Sequence, residues 1–490
     1  MDAEVTVVGA GPAGLMLAGE LALRGVSVVV LERRETPDQT IRAGSVNVPT
    51  AEAFDRRGLL PGLLDAQTAN LAAFSKFAGG GAAKPPPKFA GHFAGMFLSA
   101  DRFDDADPAF AGRGPAGEVG FVNQQQVEAL LGAWVAELGV DVRRGVEMTG
   151  FTASEEGVTV QTGGRKMHTG WLVGCDGGRS AVRKQAGFDF PGTGPELTAY
   201  QAVVDLDGEE PAKGWHATPT GIYAYGPTPG RILTVEFGGS PVERDTPVTA
   251  AELEASLRRV TGADVRITGV RSATRFTDNA RQAATYRQGR VLLAGDAAHV
   301  HSPFGGQGLN LSVGDAVNLG WKLAADVRGA AAEDLLDSYT AERHPVGAWV
   351  LDWTRAQIAI MRPDPYARAI RSVVGDLLGT VDATTYFTKQ ISGVTHRYDL
   401  GSEHPLVGRS APDLVLADGS RLNEHLHAGA GLLVDLGGLP AGIDTRSIPT
   451  ARGADGDHPG LLVRPDGIVA WAGGDDDLHV AVKRWFGTSA

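Results

Sequence analysis

Apolar and polar positions divide the chain into segments of two periods. Near the N-terminus "EVTVV" is an unbroken apolar run, as in a strand buried on both faces, and "GAGPAG" interrupts it. "LMLAGELALRG" then spaces its apolar residues for a helix that stops at Gly25, and "VSVVVLE" reads as a second strand. Residues 4–31 thus predict a β-α-β unit. A helical stretch follows around "PTAEAFDRRGLLPGLLDA", and "QQQVEALLGAWVAELG" at 124–139 predicts another. "VDVRRGVEMTGFTASEEGVTVQT" alternates as strands and turns. From 187 to 271, short alternating segments ("AYQAVVDLD", "GIYAYGP", "RILTVEF") predict a second, mostly antiparallel sheet. Helical spacing returns at 309–328 and 333–361. "HRYDLGSEHPLVGRSAPDL" reads as a linker to a separate β-α-β-like end of roughly ninety residues, closing in a short helix near "VAVKRWFG".

One stretch resists both periods. Residues 73–117 are rich in Ala, Gly, Pro and Phe, with Phe-Ala-Gly at 77–79, 89–91, 93–95 and 110–112 and three prolines at 85–87. The triplets lack the regular spacing of a solenoid, so the stretch reads as irregular loop with one or two short strands.

Length and composition narrow the class. A chain of 490 residues is too long for one ordinary core, and 43% hydrophobic with 21% charged residues describes a globular protein. A net charge of -13 argues against nucleic-acid binding, which needs a basic surface, and against docking on anionic membranes. The single cysteine, Cys175, excludes an intramolecular disulfide and any Cys-x-x-Cys redox or zinc site. An acidic start, "MDAEVTVVGAG", and the lack of an apolar run of about 18 residues suit a cytoplasmic protein.

The candidate chemistry lies in two glycine loops. Gly9, Gly11 and Gly14 form G-x-G-x-x-G between a strand and a helix, the fingerprint of a dinucleotide pyrophosphate. The first glycine permits the turn, the second admits the phosphates, and the third lets helix and strand approach. Ala10, Pro12 and Ala13 complete the loop. Glu32 closes the second strand, where its carboxylate can accept both hydroxyls of an adenosine ribose, while Arg33 and Arg34 also fit a 2'-phosphate. The loop therefore fits NAD(P) or FAD. The second loop, "VLLAGDAAHVHSPFGGQGLN" at 291–310, has no Lys-Ser/Thr and is not a nucleotide P-loop. Asp296 follows an apolar strand and is expected to be buried, hence to need a hydroxyl or amide partner, which a ribityl chain supplies. Gly305, Gly306 and Gly308 free the backbone to approach something flat, and the next helix aims its positive end there. His299 and His301 lack a third metal ligand nearby, so no metal site is expected and His299 reads as hydrogen-bonded structure.

"GAGPAG" with Glu32, "LVGCDGGRSAVR" at 172–183 and "GDAAHVHSPFGGQGLN" together resemble the three fingerprints of class A flavoprotein monooxygenases, the para-hydroxybenzoate hydroxylase type. "VGCDGGRSAVRKQAGFDFPGT" and "LLDSYTAERHPVG" are similar to one branch, the aromatic polyketide hydroxylases of actinobacterial antibiotic pathways and rifampicin monooxygenase. The resemblance implies an α/β fold: a discontinuous Rossmann-like FAD-binding domain (1–72, 118–186 and 272–345), an inserted, mostly antiparallel substrate-binding sheet domain (73–117 and 187–271), a helical connection (346–395) and a thioredoxin-like domain without redox cysteines (396–490). It implies FAD as cofactor, with Arg42 reaching the pyrophosphate and Gln124, Asp176, Asp296 and Gln307 among its contacts. Backbone amides of Leu309 and Asn310, beside Gly306 and Gly308, would cover the flavin N1–O2 edge, and the Pro303 carbonyl would lie near the reacting oxygen. NAD(P)H, with NADPH favoured, and O2 are the implied co-substrates. The implied reaction hydroxylates a polycyclic aromatic polyketide through a flavin C4a-hydroperoxide, with the protein a monomer or homodimer. Tyr223, Tyr225, Arg231 and Phe304 are the candidate substrate contacts. The same loops also suit Baeyer–Villiger or rearrangement chemistry, inactivation of a rifamycin or tetracycline, or a flavin-holding protein without turnover. Pro49, where relatives often carry arginine, and the length of 73–117 depart from the family pattern and leave the substrate open.

Overall fold

The strand Ala3–Val8 occupies the centre of an eight-stranded sheet. It runs parallel to Val28–Glu32 on one side and to Arg165–Gly174 on the other, and Asp141–Arg144 and Val291–Leu293 extend the parallel set. Helices cover both faces, which is why its sequence is a continuous apolar run rather than an alternation. Helix Pro12–Ala22 returns the chain from the first strand to the second and packs against helices Gln124–Glu137 and Gly308–Val327. Val5, Val7, Leu15, Leu17, Val30, Leu172 and Val313 are all buried in this core. Each contributes roughly 1.5–3 kcal/mol by leaving water. The computed structural model describes the whole chain except residues 41, 78–88, 227, 240–245, 440–447, 454–458, 474–476 and 488–490.

The helical stretch after the β-α-β unit divides into Val48–Asp55 and Leu60–Phe77, separated at Gly58, which adopts φ 72°. Asn47 caps the first of these by accepting from the Thr50 amide at 3.1 Å. Of the calls on 73–117, the triplet at 77–79 (from 78 on) and the prolines at 85–87 lie outside the described residues.

The second sheet is antiparallel throughout, in the order Gly214–Thr218, Gly221–Tyr225, Arg231–Glu236, Thr198–Gly208 and Val265–Phe276. Two features differ from the expected partition. Val265–Phe276 runs unbroken through the expected boundary at 271. Among the described residues, 73–117 adds no strand to this sheet. It forms a separate hairpin, Phe89–Phe93 with Met96–Ser99, followed by short 3-10 turns. The hairpin joins the domain by packing rather than pairing: Phe93 is buried with Leu197, Ala199, Ile222 and Val235 of the sheet region.

Three helices follow, Ser338–Met361, Pro365–Leu377 and Val381–Ser392, the first beginning before residue 346. The C-terminal domain is a four-stranded thioredoxin-like sheet. Leu432–Asp435 pairs parallel with Thr450–Arg452 and antiparallel with Gly460–Val463, Val469–Trp471 completes it, and helix Leu478–Phe486 follows.

Buried ion pairs fasten this domain to the first. Arg57 grips Glu20 at 2.6 and 2.9 Å and donates to the Leu426 and Pro465 carbonyls at 2.9 and 2.8 Å. Arg464, fully buried, holds Glu342 at 2.9 and 2.8 Å and lies over the Trp485 ring at 4.5 Å. Burial alone would push the Glu342 carboxyl up, but Arg464 and Lys322 outweigh it and hold it well below the usual carboxylate range. Removing one partner of such a pair leaves an uncompensated buried charge and costs about 3–5 kcal/mol.

Candidate flavin site

Three separate segments build the site at the C-terminal ends of the parallel strands, the usual place for a ligand in such sheets. In the first, Gly9 turns at φ 107°, and a Cβ there would lie 2.3 Å from the Cys175 carbonyl oxygen. A Cβ on Gly14 would lie 1.9 Å from the Gly9 oxygen, so both positions exclude any side chain. Gly11 is different: a Cβ there meets no heavy atom within 4 Å. That side of the loop faces open space. Gly11 also caps helix Pro12–Ala22 with no side-chain acceptor, and Pro12 carries no N–H, so the Ala13 and Gly14 amides point outward unpaired. An unpaired helix start beside open space fits a pyrophosphate. Glu32 accepts from the Ala10 amide at 2.8 Å and the Arg34 amide at 2.9 Å, which aims its carboxylate at the loop and leaves lone pairs for ribose hydroxyls. Arg33 is exposed, and Arg42 pairs with Asp38 at 3.1 Å on the surface. Gln124 starts its helix and donates to Glu128 at 2.7 Å.

The second segment follows the strand Arg165–Gly174. Asp176 accepts from the Ser180 hydroxyl at 2.5 Å and from the Ala181 and Val182 amides at 2.6 and 3.1 Å, capping the short helix Ala181–Ala186. Arg183 from that helix donates to the Ala297 carbonyl at 2.8 Å, which fastens this segment to the third. Cys175 is half-buried; burial and the charges of Asp176 and Asp315 push its thiol up.

The third segment leaves the strand Val291–Leu293 through a 3-10 turn, Gly295–Ala297. Gly295 has φ 63°, and its Cβ position lies 3.0 Å from the Ala13 side chain, so this turn packs on the first glycine loop. The expected burial of Asp296 is not what the fold produces. Its neighbours Gly295 and Ala297 are buried, but the turn rotates Asp296 outward to an exposed position, and no hydrogen bond from the described residues reaches its carboxylate. Desolvation therefore does not explain this carboxylate. His299, in contrast, is fully buried against Asp315 at 2.7 Å, as hydrogen-bonded structure.

Past Ser302 the chain enters the glycine cluster. Gly305 and Gly306 adopt φ 95° and 66°, and the Gly306 amide donates to the Pro303 carbonyl at 3.3 Å. Helix Gly308–Val327 starts at Gln307 with no side-chain cap, and its first intrahelical bond is Leu311 N to the Gln307 carbonyl. The Leu309 and Asn310 amides are thus free of helix partners. Gln307 donates to the Gly305 carbonyl at 3.2 Å. The Asn310 side chain donates to the Gly306 carbonyl at 2.9 Å and accepts from the Asn47 amide at 2.8 Å, locking the loop to the 43–47 segment. Asn47 escaped the sequence reading, although an Asn two residues before a proline is a helix-start signal. The donor set, unpaired amides at a positive helix end beside a glycine loop, fits a group with a carbonyl edge.

Beside this loop Phe304 is buried against the second sheet, edge-on to Trp215 and Phe276 at 6.2 and 6.0 Å. Arg231 alternates with Leu233 and Val235 and shares their face, the Phe304 side. Tyr223 and Tyr225 correct the expectation made for them. They occupy the opposite face, where Tyr225 packs with Leu253 and Leu257 of helix Ala250–Thr261 and Tyr223 stacks on His216 at 4.8 Å. The sheet separates both from Phe304. His92, unnoticed in the sequence, sits on the Phe304 side with its ring 5.4 Å from Trp215, and burial lowers its pKa to about 4.

Fold and site define a flavin-binding monooxygenase architecture. Residues 2–354 match the FAD binding domain family and residues 404–489 the aromatic-ring hydroxylase C-terminal family. The chain is 39% identical over 505 residues to the rifampicin monooxygenase of Streptomyces venezuelae, covering 99% of both chains. It is 38% identical over 505 residues to the dialkyldecalin synthase of Streptomyces rugosporus, covering 100% of both. Among solved structures it superposes on the OxyS anhydrotetracycline hydroxylase of Streptomyces rimosus with TM-score 0.86, 37% identity and full coverage of both chains. The chain belongs to this family of FAD-binding aromatic-ring hydroxylases and is an FAD-dependent aromatic monooxygenase. No helix among the described residues is long and apolar enough to cross a membrane.

Proposed function

We propose that the protein consumes NAD(P)H and O2 to hydroxylate a polycyclic aromatic polyketide, in antibiotic tailoring or inactivation. The observation that carries this reading is a pair of open helix starts, at Gly11 and Gln307, on two helices packed against each other, the second start following Phe304 of an aromatic cluster. When bound, FAD supplies the redox chemistry and the activation of oxygen. The chain's own residues bind and orient. The Gly9–Gly14 loop and Arg42 take the pyrophosphate, Arg42 by leaving Asp38, and Glu32 takes the ribose. Asp296, exposed and without a donor among the described residues, takes ribityl hydroxyls. The Leu309 and Asn310 amides hold the pyrimidine edge, where a positive helix end stabilises negative charge on the reduced ring. Phe304, Trp215 and Arg231 face the substrate, the aromatic pair stacking on a fused-ring system and the cluster keeping water away.

The test is NAD(P)H consumption by the purified holoenzyme against anthraquinone, angucyclinone, tetracycline and ansamycin compounds, with products solved by NMR. Substrate-stimulated oxidation of NAD(P)H with one oxygen added to a ring carbon is expected. Ring expansion would move the reaction to the Baeyer–Villiger class. Turnover of a substrate without NAD(P)H would favour a non-oxidative role, such as the name of the dialkyldecalin synthase relative suggests. Protein that cannot be reconstituted with FAD would end both.

A further inference from the structure

We propose that Asp315 is a positioning residue for Asp296, a clamp that sets the turn presenting this carboxylate to the cofactor. The inference rests on the ribityl assignment of Asp296 made above. Asp315 lies on helix Gly308–Val327, two turns from its start, and is fully buried. One of its oxygens, Oδ2, accepts from both the Gly295 amide at 3.0 Å and His299 Nε2 at 2.7 Å. These two donors flank Asp296 in sequence, so a single oxygen ties together both ends of the turn that carries it. A carboxylate only accepts, which makes Nε2 the protonated ring nitrogen of His299.

Asp296 has no hydrogen-bond donor among the described residues, so its direction follows from the backbone of the Gly295–Ala297 turn. That turn packs closely, since a Cβ on Gly295 would lie 2.9 Å from the Ser312 hydroxyl and 3.0 Å from the Ala13 side chain, and Asp315 holds its backbone. The clamp is fixed in turn. Asp315 Oδ1 accepts from Arg343 Nε at 2.8 Å, and Arg343 donates to the Leu311 carbonyl at 3.0 Å and to the Tyr398 hydroxyl at 2.9 Å. Burial raises the Asp315 carboxyl, but Arg343 and His299 outweigh it and keep it ionised. The helix whose first amides face the flavin edge thereby also sets the carboxylate facing the ribityl chain, and both ends of one cofactor segment share one rigid frame.

A double-mutant cycle on the full-length apoprotein tests this, reading the FAD dissociation constant from quenching of flavin fluorescence. Thermal unfolding of each apoprotein shows whether it is folded. Asp296→Ala and Asp315→Asn are each expected to weaken FAD about tenfold, and the double variant to bind no more weakly than Asp296→Ala alone. Equal weakening by Asp315→Asn in both backgrounds, or none in either, overturns the proposal while leaving the ribityl reading intact. An unchanged constant for Asp296→Ala overturns that reading and this inference with it. Should Asp315→Asn not fold, Asp315→Glu keeps the charge facing Arg343 while shifting the clamp by one methylene, and the same non-additivity is expected.

Discussion

The two glycine loops look alike as text and differ in what presses on them. In the first, the glycines at 9 and 14 are enforced by backbone: added Cβ atoms would meet carbonyl oxygens at 2.3 and 1.9 Å. Backbone cannot give way. In the second, Gly305, Gly306 and Gly308 face side-chain atoms of Gln357, Ser45 and His301 at 2.5, 3.2 and 3.4 Å, and two of the three are required mainly by positive φ. The first loop is thus a structural joint with one position, Gly11, left over for a ligand. The second is set by positive φ and by side chains that can shift. A glycine's role is read from its neighbours, not from its presence in a motif.

Substitutions can break or sharpen this contrast. Gly14→Ala should have the largest effect, destabilising the apoprotein by on the order of 3 kcal/mol, because helix and strand must part. Thermal unfolding reads it, and an unchanged midpoint would remove the joint from the picture. Gly11→Ala should split the two readouts. Apoprotein stability should stay within about 1 kcal/mol, since φ is -80° and the space is open, while FAD affinity falls at least tenfold. Asp296→Ala should leave stability within about 0.5 kcal/mol and weaken FAD about tenfold, the loss of charge-assisted hydrogen bonds. Gly308→Ala should do least: its Cβ contact at 3.4 Å needs only a small shift of His301, so flavin binding should change less than threefold. Equal losses for Gly11→Ala and Gly308→Ala would erase the distinction between the loops.

Much of the site was legible because it is local. Strand, loop, helix and Glu32 lie within 32 residues, and their order carries their geometry. Asp296 was misread because an apolar run suggested burial, whereas one glycine at φ 63° swings the next residue to the surface. For Tyr223 and Tyr225 the alternation was readable, but the choice of face depended on where helix Ala250–Thr261 would dock, which periodicity does not encode. At 89–99 one or two short strands were expected but not their place, since packing on Leu197 and Ile222 fixes it rather than a pattern of their own. The clamp around Asp315 joins Gly295, His299 and Arg343 from four elements in all and escaped for the same reason.

The ion pairs that fasten the C-terminal domain also impose a timetable. Arg57 leaves the ribosome early, but the Pro465 carbonyl it donates to lies 408 residues later in the chain. At ordinary synthesis rates of about 5–20 residues per second that is roughly 20–80 s. Throughout that interval Arg57 lacks the Pro465 carbonyl that completes its hydrogen bonding. The nascent protein therefore spends most of its synthesis with its largest domain unsealed, and its yield in a cell should respond to chaperone supply and elongation rate more than its final stability would suggest.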